Sequence, residues 1–266
     1  MRLYLEFVKN AILANSTYRV NLFIRLLNRI IELFIFASIW KALYSGAAET
    51  TSNMGVISLN DMIMYSIISS GISVFISNNL ISDISDKIRT GQIALDMIKP
   101  INFKAWQLCN VIGTNISGIL LELVPVLVIG GLAFGFRVPE WKYLILFFIS
   151  LAGGIAINFL ITYILGILGF WFLEVSHFER LLQDLVKVFS GAWFPIWFFP
   201  KVLIGVSGYL PFKYIYFAPV SIYLSKVSIP GALSILVQQL IWIAVLFLIG
   251  EVLWRKGTAK LVIQGG

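Results

Sequence analysis

Tyr143-Leu144-Ile145-Leu146-Phe147-Phe148-Ile149-Ser150-Leu151-Ala152-Gly153-Gly154-Ile155-Ala156-Ile157-Asn158-Phe159-Leu160-Ile161-Thr162-Tyr163-Ile164-Leu165-Gly166-Ile167-Leu168-Gly169-Phe170-Trp171-Phe172 contains no Asp, Glu, Lys or Arg. As a helix this stretch is roughly 45 Å long at about 1.5 Å per residue. The hydrocarbon core of a bilayer is about 30 Å thick, so the run is more than a span needs. A closed β-barrel would show apolar and polar residues alternating with period two, and the run has no such pattern. It reads as a transmembrane helix.

Further apolar runs lie outward of it at Val20–Tyr44, Leu59–Ser82, Leu108–Phe134, Leu185–Val206 and Ala232–Trp254. The expected fold is an all-α membrane protein of six transmembrane helices in one domain over residues 1–266. Composition agrees: 59% of the chain is hydrophobic and 12% charged, and mean hydropathy is +0.91. A soluble domain carries about 25% charged residues, enough polar surface to cover its core. This chain does not.

Charge distribution orients the spans. With the N-terminus inside, fourteen of the twenty Lys and Arg residues fall on inner segments and six on outer ones. By the positive-inside rule both termini are expected in the cytoplasm. The net charge of +7 is therefore a topological signal and no pointer to nucleic acid. One cysteine, Cys109, excludes an internal disulfide framework. The N-terminal residues carry Glu6 and Lys9 early and do not read as a cleavable signal. Leu3, Phe7, Ile12 and Leu13 gather on one helical side, which predicts an interfacial amphipathic helix over 1–18, with a loose tail as the alternative.

Arg25, Arg29 and Glu32 fall at helical spacing in the inner half of the first span. The spacing predicts an Arg29–Glu32 pair and two arginines snorkelling to the headgroups. Glu122 lies about 14 residues into the third span, roughly 21 Å deep at the helical rise. An ionisable group at that depth is a functional candidate unless it is a hydrogen-bonded glue between helices. Pro125, which has no N–H, predicts a kink beside it.

Residues 83–107 form the longest polar cytoplasmic segment. Ile84, Ile88, Leu95 and Ile98 recur among charges, predicting short amphipathic helices broken at Gly91 and stopped at Pro100. The pattern fits a surface helix on lipid headgroups or a dock for a soluble partner. Residues 207–229 are tyrosine-rich and interrupted by Pro211 and Pro219, which predicts a re-entrant or interfacial segment on the outer face.

Catalytic chemistry is missing from the pattern. Gly113-Thr114-Asn115-Ile116-Ser117-Gly118 has the glycine spacing of a phosphate loop, but Ile119 and Leu120 stand where Lys and Ser/Thr are needed. His177, with Glu174 and Glu179 nearby, is the sole histidine and makes a weak case for metal. The chain is expected to bind no cofactor itself and not to be an enzyme.

Three segments carry a family resemblance. They are Ile88-Arg89-Thr90-Gly91-Gln92-Ile93-Ala94-Leu95-Asp96-Met97-Ile98-Lys99-Pro100-Ile101, the run from Pro195-Ile196-Trp197-Phe198-Phe199-Pro200 to Leu210-Pro211-Phe212, and Trp254-Arg255-Lys256-Gly257 with the terminal Gly265-Gly266. Over essentially its full length the chain resembles permease subunits of bacterial type-2 ABC exporters. The resemblance implies a translocation subunit in the bacterial cytoplasmic membrane, paired with a second permease, the same chain or a paralogue. Two separate ATP-binding subunits would hold ATP and Mg. It assigns Asp86, Lys87, Arg89, Gly91, Gln92, Asp96, Lys99 and Pro100 to coupling with the ATPase. It makes the segment after the fifth span an outer gate. Glu122, Trp193, Phe194, Trp197 and Phe198 are the candidate substrate path. The aromatic content favours an amphiphilic or hydrophobic cargo: a drug, peptide or lipid. Two readings of other classes compete: an ion- or proton-coupled transporter using Glu122, and a membrane scaffold that transports nothing.

Overall fold

The computed structural model describes residues 2–264 other than 18, 46–48, 53–54 and 173–174. Calls on Glu174, Gly265 and Gly266, and on the His177 side chain, lie outside the described residues.

The elements in chain order are α1 (Arg2–Thr17), α2 (Arg19–Leu43), a hairpin of β1 (Glu49–Ser52) and β2 (Gly55–Ser58), α3 (Leu59–Ile76), α4 (Leu80–Arg89) and α5 (Gln92–Ile98). Then come α6 (Phe103–Gly118), a π turn (Ile119–Leu123), α7 (Val124–Phe134), α8 (Trp141–Ile167), α9 (Ser176–Ser190), α10 (Lys201–Gly208), α11 (Phe217–Tyr223) and α12 (Ile229–Gln264). The hairpin is antiparallel, with Glu49 opposite Ser58 and Ser52 opposite Gly55.

Among the described residues four helical stretches are long and apolar enough to cross a membrane: Leu59–Arg89, Phe103–Phe134, Trp141–Phe170 and Ile229–Lys260. They match four of the expected spans. The first expected span is a single helix, α2, of 25 residues, but Arg25, Arg29, Glu32 and Lys41 keep it outside that apolar set.

The fifth expected span, Leu185–Val206, is not one helix. Helix α9 stops at Gly191, which takes φ +80. Pro195 and Pro200 then flank a short 3-10 turn before α10 begins. The apolar run is continuous in composition, but a left-handed glycine and two prolines without N–H groups cannot continue a helix. Helix α9 also carries Glu179, Arg180, Asp184 and Lys187, so its hydrophobicity is one-sided.

Residues 207–229 hold a 3-10 turn (Phe212–Tyr214) and helix α11. Tyr214, Tyr216 and Tyr223 are buried, packed with Ile215 and Ile222 in the core around α8. Tyr209, by contrast, is exposed.

Helices in lipid gain little from burial against one another, so close backbone approach decides their packing. A Cβ on Gly154 of α8 would lie 2.8 Å from the Tyr214 carbonyl. A Cβ on Gly113 of α6 would lie 2.6 Å from both the Val8 carbonyl and Ala11 Cβ of α1. With Phe7 set against Trp106 at 6.0 Å, α1 is fitted directly to α6.

The caps are local. Ser58 and Asp61 form a reciprocal capping box at the start of α3, each bond 3.1 Å. Lys226 holds Asp61 at 2.7 Å, tying the residues before α12 to that cap. The kink expected at Pro125 is a π turn, in which the Val124 N–H reaches back to Ile119. Pro125 sits in the first turn of α7, where a missing N–H is tolerated.

Candidate functional site

Ser66, Ser69, Ser70, Ser73 and Ser77 recur on α3 and beyond it at steps of three and four, the spacing of one helical face. That face lines a cavity of about 400 Å³. Gln107, Asn110 and Thr114 of α6 join it, with Asn158 and Thr162 of α8, Gln183 and Lys187 of α9, and Arg25 and Arg29 of α2. A helix that is polar toward a cavity and apolar toward lipid needs this kind of stripe, and α9 has one too. Its Leu181, Leu185 and Val188 are exposed on the other side.

Two arginines close on one carboxylate. Arg25 Nε donates to Glu122 Oε1 at 3.0 Å and Arg29 Nε to Oε2 at 2.9 Å. Glu122 is 3% exposed and Arg29 8%. Arg29 also donates from Nη1 to the Ser73 hydroxyl and from Nη2 to the Ser73 carbonyl and the Ser77 hydroxyl. Snorkelling is therefore corrected for Arg29, which points across the bundle, and its partner is Glu122 rather than Glu32. An i,i+3 pair is visible in a sequence, whereas a partner 93 positions away is not. Glu122 lies behind the guanidiniums, which are the groups that face the cavity.

The aromatic candidates separate into two sets. Trp193 lines the cavity, with Lys187 Nζ 5.6 Å from its ring centre. Phe194 stands edge-on to Phe36 at 6.0 Å, and Phe198 lies 5.6 Å from Trp40. Trp197 is buried between Tyr65 and Phe217, at 5.6 and 5.2 Å. It anchors the loop instead of touching the cavity. Tyr65 also donates to the Gly191 carbonyl at 2.6 Å.

The coupling candidates form an elbow. Gly91, at φ +75, separates α4 from α5. Asp96 is 3% exposed and takes Lys87 at 3.0 Å and Lys99 at 2.6 Å. Burial acts to raise its carboxyl, but the hydrogen bonds and charges of Lys99 and Lys87 outweigh that and hold it below the usual carboxylate range. Both lysines lie over the Trp106 ring, at 4.1 and 4.9 Å. These three charged residues brace the elbow from within. Asp86 and Arg89 pair with each other at 3.1 Å in the open, and Gly91, Gln92 and Pro100 are exposed.

What stands out on the elbow is apolar: Leu95, Met97 and Ile98 are exposed, Ile98 at 79%. Their alternation with charges was legible in the sequence, but not which of them would be left uncovered. One further link leaves the elbow, where Ser82 of α4 donates to Glu179 of α9.

Among the described residues there is no group of three or more His, Cys, Asp or Glu that could hold a metal. A comparison with curated proteins finds no match. The family model of the ABC-2 family transporter protein matches residues 23–265. The chain belongs to that family and is a multi-pass transmembrane permease subunit of an ABC transporter, a membrane transport component.

Proposed function

We propose that this ABC-2 permease is the translocation subunit of an exporter driven by a separate ATPase. It would move an amphiphilic cargo out of the bacterial cytoplasm. The observation that carries the reading is the elbow: exposed Leu95, Met97 and Ile98 on a turn stiffened by the Lys87–Asp96–Lys99 cluster. An exposed apolar cluster on a braced turn is suited to a protein partner. Two ATP-binding subunits would hold ATP and Mg, and a second permease would complete the assembly.

The elbow is joined to each cavity wall by a different link. Helix α4 continues from the serine face of α3 after 77–79, the two lysines rest on Trp106 of α6, and Ser82 bonds Glu179 of α9. Closure of an ATPase dimer would push the elbow and shift these walls as rigid elements. In the same reading α2 is a further span, its two deepest arginines matched by Glu122. The broken segment after α9, through residues 207–229, is the outer re-entrant gate, and both termini lie in the cytoplasm. The ion-coupled alternative gains nothing from Glu122, whose two oxygens are each taken by a guanidinium.

The test is gentle purification of the tagged chain from its native cells. A stoichiometric ATP-binding subunit is expected with it. A chain that comes out alone, even after mild crosslinking, would overturn the reading and leave the scaffold alternative standing.

A further inference from the structure

The cavity presents more hydrogen-bond donors than its own side chains use. Arg25 gives only Nε to Glu122, and its side chain is 42% exposed, so both Nη groups of the guanidinium are free. Gln107 is 3% exposed. Its Oε1 accepts from Asn110 at 3.4 Å, while its Nε2 has no partner. The buried hydroxyl of Ser70 has none either. All three residues line the same cavity. Native proteins seldom leave buried donors unpaired, so a wall with several invites an acceptor from outside the chain.

Charge points the same way. Arg25 and Arg29 share one carboxylate, which leaves the cluster with an excess positive charge. Lys187 lines the cavity as well, 3.6 Å from Asp184. Glu32 and Asp83 also line the cavity and Asp184 pairs Lys187, so the positive excess is local to Arg25 and Arg29. Against the polar face, Leu33, Phe36 and Ile161 supply apolar wall.

We propose that this cavity binds an amphiphile by an oxyanion headgroup, a phosphate or carboxylate. Arg25, Gln107 and Ser70 donate to it, and the hydrocarbon lies against Leu33, Phe36 and Ile161. A guanidinium with two free nitrogens is the side chain best shaped for such a group. The proposal rests on the transport reading only in taking the ligand as cargo. The binding site stands on the cavity alone.

The experiment is calorimetric titration of the full chain in dodecylmaltoside, without ATPase. Dioctanoyl phosphatidic acid, dioctanoylglycerol and inorganic phosphate are the probes. Phosphatidic acid is expected to saturate and to bind at least about tenfold more tightly than the diacylglycerol, the ratio expected of a hydrogen bond to a charged group. Arg25→Gln and Gln107→Leu should each weaken it by about tenfold. Gln107→Leu leaves the arginine–glutamate cluster intact, so it decides the matter if Arg25→Gln fails to fold. Displacement by inorganic phosphate supports the oxyanion site with free phosphate as its source. Lack of displacement assigns it to the lipid. Equal affinity for phosphatidic acid and diacylglycerol, or wild-type binding by both variants, would overturn the proposal. Failed binding with the ATPase still co-purifying removes the headgroup site and spares the transport reading. Retained binding without an ATPase does the reverse.

Discussion

Arg29 Nε lies 2.9 Å from Glu122 Oε2, joining α2 to the π turn between α6 and α7. Arg25 occupies the other carboxylate oxygen. Glu122 is thus a structural counter-charge for two arginines of a helix that would otherwise carry them unpaired among spans.

Glu122→Gln is expected to leave a guanidinium buried without its counter-charge. Removing one partner of a buried pair costs about 3–5 kcal/mol. The fall should appear as a lower unfolding midpoint in detergent, by dye or by light scattering. Replacing all three, Arg25→Leu, Arg29→Met and Glu122→Leu, should recover much of it, since apolar substitutes of similar volume are often neutral or better. If Glu122→Gln stops transport at unchanged stability, Glu122 is a coupling residue after all.

Gly191→Ala tests the break between α9 and the outer loop. Gly191 has φ +80, and an added Cβ would lie 3.0 Å from the Tyr65 hydroxyl and 3.1 Å from Phe217 Cβ. The backbone strain alone is about 1–2 kcal/mol for a residue with a side chain. The unfolding midpoint should fall, and the Tyr65 contact to the Gly191 carbonyl should loosen. An unchanged midpoint would mean the turn has no preference for glycine.

How much could be read without coordinates depended on the range of the interaction. Helix identity, the break at Gly91 and the disturbance at Pro125 are dictated by a few neighbouring residues, and each was legible. The serine face of α3 was also open to a count of spacings, since Ser66, Ser69, Ser70, Ser73 and Ser77 all precede the first polar loop. The Arg29–Glu122 contact and the burial of Tyr214 and Tyr216 depend on which helices meet, which no local pattern states. At Leu185–Val206 hydropathy summed over a window missed three residues, Gly191, Pro195 and Pro200, that decide the backbone.

Asp96 makes the elbow's order depend on acid, in a definite direction. Its carboxyl lies below the usual range because Lys99 and Lys87 outweigh the burial that would raise it. A group lowered in this way adds stability in full above its unfolded value, about 3.9. That contribution is lost as pH falls through the folded value. Amide protection across α5 should therefore be the same at pH 7 and pH 5 and decline only in stronger acid. Asp96→Asn should lack that protection at every pH. Loss of protection already at pH 5 would show that the cluster does not brace the elbow.

The elbow variants separate bracing from contact. Lys99→Glu sets a carboxylate where Asp96 receives an ammonium at 2.6 Å, so it should disturb α5 itself as well as any partner. Ile98→Asp changes a side chain that is 79% exposed, so the unfolding free energy should change by less than about 0.5 kcal/mol, as for most surface substitutions. On the proposed reading Ile98→Asp nevertheless removes the ATPase from the purified complex, because it buries a charge at an apolar contact. Arg89→Glu, exposed and paired only with Asp86, should weaken docking less. Co-purification of the ATPase at wild-type levels with Ile98→Asp would place the docking surface elsewhere, and Leu95 and Met97 would lose their assignment with it.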